Sequence, residues 1–117
     1  MRESHNRILL VEDDADVGPL LQHTILHAGF KVHWVSSAAK AQALLEERVY
    51  DLVLTDIVLP DGNGLDVADA AKARGLKSLV ITGYAFKFAK ERLAPHEVLL
   101  KPIRPSELVD AIERRFA

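Results

Sequence analysis

A chain of 117 residues, 49% hydrophobic and 27% charged, has room for one domain with a proper core and lacks the composition of a disordered or membrane protein. The formal net charge of −2 argues against a general binder of nucleic acid or anionic membrane, and the absence of cysteine excludes disulfides, thiolate metal sites and thiol catalysis. The polar start MRESHNR and the lack of an apolar run approaching about 18 residues predict neither signal peptide nor membrane span, so a soluble cytoplasmic protein is expected.

In chain order, RILLVED (7–13) is a buried-type strand that ends in acid: Glu12, Asp13, Asp14. Asp14 or Asp16 is suited to cap the next helix, which must begin near Asp16 because Pro19 fits only in the first turn. Val17, Leu20, Leu21, Thr24, Ile25 and Ala28 share one face of that helix, and Gly29 ends it. KVHWVS (31–36) is the second strand, and Ser36 or Ser37 caps a helix with Ala41, Leu44 and Leu45 inward. DLVLT then predicts a strand covered on both faces and ending on Asp56, after which Pro60, Asp61, Gly62, Asn63 and Gly64 break regular structure. An Ala-rich helix from Leu65 closes at Gly75, and LKSLVIT (76–82) is a fourth strand. YAFKFAKERL is weakly helical and stops before Pro95; EVLLK (97–101) is a fifth strand before Pro102. Pro105 opens the last helix, with Leu108, Val109 and Ile112 inward. Five strands alternating with about five helices predict an α/β, doubly wound parallel sheet over a single domain, 1–117.

In that architecture the carboxyl ends of parallel strands share one edge, where such sheets keep their ligands. Those ends carry Asp13 and Asp14, Asp56, Thr82 and Lys101. Like charges about 4 Å apart repel by roughly 4 kcal/mol at an effective dielectric near 20, so clustered carboxylates will take up a proton, an ammonium or a divalent cation. A carboxylate so placed has the chemistry of a metal ligand, a base or a nucleophile.

The Glu12-Asp13-Asp14 run, Asp56 with Pro60 and Gly64 after it, Thr82-Gly83 and Lys101-Pro102 together resemble a bacterial two-component response-regulator receiver domain, over the whole chain. The resemblance implies a flavodoxin-like sheet of order 2-1-3-4-5 and a signalling module rather than an enzyme on other substrates. It implies that Asp56 is the phosphoacceptor and that Asp13 and Asp14 hold Mg²⁺ (or Mn²⁺) with Asp56 and the Val58 carbonyl. Thr82 and Lys101 would contact the phosphoryl oxygens, and the Lys101-Pro102 bond would be cis. The implied partners are a sensor histidine kinase or histidine phosphotransfer protein and a downstream protein target, with no direct nucleic acid or membrane, in a monomer or weak dimer.

The chain departs from the family in three places. Val98 stands where receivers commonly carry an aromatic switch residue, and Tyr84 is the candidate replacement. The Thr82-to-Lys101 interval is short, which predicts a short or irregular fourth helix. Val58, two residues after Asp56, is apolar and predicts slow self-hydrolysis. Three competing readings are weaker. A Mg²⁺-dependent phosphatase with an aspartyl intermediate would need an acid at Val58; a flavodoxin-like carrier would need a Ser/Thr-rich phosphate loop; a degenerate receiver used only for docking would not retain the full set.

Of the remaining candidates, His23 and His27 have the helical spacing of a zinc pair but no third ligand nearby in sequence. His5, His33 and His96 have no evident partner, Trp34 reads as core or partly covered surface, and Lys87, Lys90 and Arg92 read as a solvated basic face.

Overall fold

The computed structural model describes residues 6–83 and 90–116. Strands β1 (Arg7–Val11), β2 (Lys31–Val35), β3 (Leu52–Asp56), β6 (Lys77–Thr82) and β7 (Glu97–Leu100) form one parallel sheet in the order β2-β1-β3-β6-β7. Strands β4 (Val58–Leu59) and β5 (Gly62–Asn63) make a small antiparallel hairpin that the sequence reading missed. With that hairpin set aside, the order is the expected 2-1-3-4-5. The helices are α1 (Val17–His27), α2 (Ala38–Glu47), α3 (Gly64–Ala73), α4 (Lys90–Leu93) and α5 (Pro105–Phe116).

Alternation along the central strands divides the core. Ile8, Leu10, Leu52, Leu54, Leu79 and Ile81 face Ile25 of α1 and Leu108, Ala111 and Ile112 of α5. Leu9, Val11 and Val53 face Ala41 and Leu45 of α2 and Val67 and Ala71 of α3. Helices therefore cover both faces, and the strands between them read as unbroken apolar runs.

Helix ends follow from local chemistry. The Ser37 Oγ accepts from the Lys40 N–H at 3.2 Å, and the Asn63 Oδ1 accepts from the Leu65 N–H at 2.7 Å. Gly29 (φ 99°) and Gly75 (φ 81°) take the left-handed conformation after α1 and α3, as predicted for both. Leu20, expected on the inward stripe of α1, is 61% exposed. At Gly18 an added Cβ would lie 2.2 Å from the Trp34 ring, so α1 sits directly on that indole and turns Leu20 outward.

Candidate functional site at the carboxyl edge of the sheet

Strand β1 ends at Val11, but the Glu12 N–H still donates to the Val35 carbonyl at 3.0 Å, so Glu12 extends the ladder and its side chain is buried. The chain then turns outward, and Asp13 is exposed. Asp56, at the end of β3, is nearly buried. Carboxylate oxygens of Glu12, Asp13 and Asp56 lie within 4.8 Å of one another.

Lys101, just past β7, closes the cluster. Its Nζ is 2.8 Å from Asp56 Oδ2 and 3.4 Å from Glu12 Oε1, and its N–H donates to the Thr82 carbonyl at 3.0 Å. The Lys101-Pro102 bond is cis. Thr82 is fully buried at the end of β6, one residue past Ile81, which is the register partner of Asp56. The Val58 N–H reaches Asp56 Oδ1 at 3.4 Å.

Burial pushes the Glu12 carboxyl above the ordinary range, against the pull of the Asp14 N–H and the Lys101 ammonium. Burial pulls Lys101 down, but the hydrogen bond and charge of Asp56, with Glu12 adding to them, outweigh it and leave the ammonium raised. Within this cluster the Lys cation stands against buried carboxylate charge at close range, a pairing that burial alone would oppose.

Asp14, expected among the metal ligands, is committed elsewhere. Its Oδ1 accepts from the Asp16 N–H at 2.8 Å and the Val17 N–H at 3.1 Å, and its carbonyl accepts from Gly18 N–H. These N–H bonds hold the Asp14 carboxyl below the ordinary range. Asp14 is thus the cap of α1, although Asp16 occupies the formal N-cap position without a side-chain bond. Glu12, present in the sequence motif but given no role, stands in the acidic cluster with Asp13 and Asp56. The signal was available: it is the residue that ends the apolar run.

Two residues of the break after β3 have contacts that the sequence alone did not assign. Asp61 accepts from the N–H groups of Ala38 and Ala39 at 2.8 and 2.9 Å, tying the loop after β3 to the start of α2. An added Cβ at Gly64 would stand 1.7 Å from the Asp56 carbonyl oxygen, so only glycine lets α3 begin against the strand end that carries Asp56.

Three side chains given no ligand from sequence have partners. His33 Nδ1 is 3.1 Å from the Tyr50 hydroxyl, and His96 lies between Ser78 Oγ and Asp69 Oδ1, the latter at 2.8 Å. Arg92, exposed as expected, bridges Asp66 and Asp69 at 3.1 and 3.2 Å on that solvated face. His23 and His27 stack with ring centroids 5.6 Å apart but join no ligand cluster among the described residues. Val98 packs with Leu93 against Ile57, Leu65, Ala68 and Val80. Tyr84, Lys87 and His5 lie outside the described residues.

Residues 8–113 match the family described as response regulator receiver domain. The chain belongs to that family. The receiver is 37% identical to the response regulator receiver protein CpdR of Brucella abortus over 113 residues, which cover 92% of this chain and 94% of CpdR. It spans only 54% and 25% of the length of two other curated relatives. Among solved structures, a CheY-like receiver from Methanospirillum hungatei matches with a TM-score of 0.83 at 30% identity, covering 94% of this chain and 92% of that one. The response regulator TrrA of Thermotoga maritima, solved with Mg²⁺-BeF, matches with a TM-score of 0.85 at 25% identity, covering 94% and 98%. The chain is accordingly a phosphoacceptor signalling module of two-component type, and the acidic cluster at its strand ends fits a phosphorylation site. No described helix is long and apolar enough to cross a membrane.

Proposed function

We propose that Asp56 is the phosphoacceptor, that Glu12, Asp13 and Asp56 with the Val58 carbonyl hold Mg²⁺ (or Mn²⁺), and that Thr82 and Lys101 receive the phosphoryl oxygens. The observation that carries this reading is the gathering of three carboxylates within 4.8 Å, with the Lys101 ammonium 2.8 Å from one of them. An all-oxygen donor set of this kind fits Mg²⁺, which prefers a few carboxylates and retained waters. When bound, the ion supplies positive charge for the phosphoryl oxygens.

The chain's own residues do the rest. A phosphohistidine of a sensor kinase or phosphotransfer protein is the donor. An Asp56 oxygen forms the new O–P bond as the donor's N–P bond breaks, and the departing imidazole keeps the electron pair and takes a proton. Lys101, already on Asp56, follows the negative charge onto the phosphoryl oxygens, and Thr82 supplies a hydroxyl donor from the adjacent strand. The module turns over no other substrate; its phosphorylated form binds a downstream protein differently, as monomer or weak dimer, in the cytoplasm and without direct contact to nucleic acid. The Val58 side chain offers no group to orient water, so the acyl phosphate is long-lived.

Trp34, the single tryptophan, gives a built-in test, because its indole N–H donates to the Glu12 carbonyl at 2.8 Å. Adding Mg²⁺ and then beryllofluoride should shift the Trp34 indole resonance saturably, and then the amides of Asp56, Thr82 and Lys101. An Asp56→Asn variant that responds as the native chain does would refute the assignment.

A further inference from the structure

The opposite end of the sheet holds a second convergence of charge. Arg7 and Lys31 are the first residues of β1 and β2, and Arg48 follows α2 on the same side; Asp56 lies at the far, carboxyl end of its strand. These three cations line a cavity of about 570 Å³ together with His33, Val49 and Tyr50, and among the described residues no acid lines it. Such a volume lies within the roughly 300–1,000 Å³ of small-molecule sites. Among the described residues, none of the three cations makes an ion pair. Of the acids beside the lining residues in sequence, Asp51 has its Oδ2 occupied by the Arg7 N–H at 2.8 Å, and Glu47 precedes Arg48 at the end of α2.

Arg7 and Arg48 share the lining of this cavity with Tyr50. Burial raises the Tyr50 hydroxyl, while the fields of Arg48 and Arg7 both reach it and pull it back, with Glu47 opposing them. The hydroxyl is 3.1 Å from His33 Nδ1, giving the floor hydrogen-bonding groups between the charges. Val49, 75% exposed at the rim, adds an apolar wall. Two guanidiniums and an ammonium around hydroxyl and imidazole groups are a donor set for phosphate oxygens, and guanidinium binds phosphate in bidentate fashion.

We propose that this cavity binds a small organic anion carrying a phosphate or diphosphate group, held by Arg7, Lys31 and Arg48, at a site separate from the phosphoacceptor. The site gives the receiver a second, non-covalent input.

The test is a titration of the full chain with pyrophosphate and, separately, ADP, in EDTA and in an Asp56→Asn background, so that binding at the acidic edge is silenced. Amide shifts from ¹H–¹⁵N spectra are the readout. The expected result is a saturable response centred on Arg7, Lys31, His33 and Arg48, with affinity falling about tenfold or more in Arg7→Ala and Arg48→Ala and unchanged in the remote Arg74→Ala. Tighter binding of ADP than pyrophosphate identifies an organic body on the apolar wall; equal binding identifies the phosphate group alone. Native-like spectra in the variants, and Asp56 phosphorylation preserved in Arg48→Ala, keep the result apart from misfolding and from the reading of the acidic edge. No saturable response, or an equal loss in Arg74→Ala, overturns the proposal and leaves the cations as guards of the edge strand β2.

Discussion

Three consecutive acids after β1 have three fates. Glu12 extends the ladder and is buried against Lys101, Asp13 stands exposed at the cluster, and Asp14 caps α1. Their division of labour predicts different responses to neutralisation. Asp13→Asn should weaken Mg²⁺ about tenfold or more, because it removes one full charge from the donor set. Asp14→Asn should leave Mg²⁺ affinity within about twofold, since an Asn carbonyl oxygen keeps the same capping bonds. Titration followed at the Trp34 indole checks both, and equal losses would return Asp14 to the metal. With Val58 apolar and 53% exposed, the acyl phosphate should survive for minutes or longer; decay within seconds, measured by loss of the phosphorylated mass, would contradict this.

At the scale of elements, the loop after β3 is held from two sides. Gly64 lets α3 start in contact with the Asp56 carbonyl, and its N–H donates to the Ile57 carbonyl at 2.6 Å. Gly64→Ala should destabilise the fold by about 1–3 kcal/mol or more, read from urea unfolding, and slow Asp56 phosphorylation, because the new methyl must displace the main chain that carries the carboxylate. Asp61 fastens the other side of the loop to α2. Its carboxyl is held below the ordinary range, first by the Ala39 N–H and then by the Ala38 N–H. A depressed folded-state pKa contributes stability that is present above the unfolded value of 3.8 and lost as pH falls through the lower folded value. The native chain should therefore lose more stability than Asp61→Asn as the pH is taken below 3.8; parallel curves would remove the tether.

Those same elements show what could be read from residues alone. The apolar runs, the capping serine before α2 and the glycines after α1 and α3 specify local structure, and each formed where expected. The site was legible because parallel strands deliver their last residues to one edge, whatever their separation in sequence. What escaped depends on side-chain direction and long-range contact. Sequence spacing does not say which of Glu12, Asp13 and Asp14 points into the cluster. It does not say that Asp61 reaches Ala38 and Ala39, or that the Trp34 ring lies over Gly18 and leaves Leu20 in solvent. The His96 link between Ser78 and Asp69 likewise joins β6 and α3 to the residue before β7, across intervals that no local pattern encodes.

For the molecule as a whole, the sheet is a rigid floor that brings distant residues to one edge. Fully buried Leu10, Leu54 and Ile81 lie on the three central strands, and burial of each such side chain contributes about 1.5–3 kcal/mol. That packing fixes the strand ends, which bring Lys101 Nζ to 2.8 Å from Asp56 Oδ2. The most direct measurement is intact mass after incubation with Mg²⁺ and acetyl phosphate. The expected result is a gain of about 80 Da that EDTA prevents and Asp56→Asn abolishes. No gain in the native chain, or a gain that persists in Asp56→Asn, would contradict it.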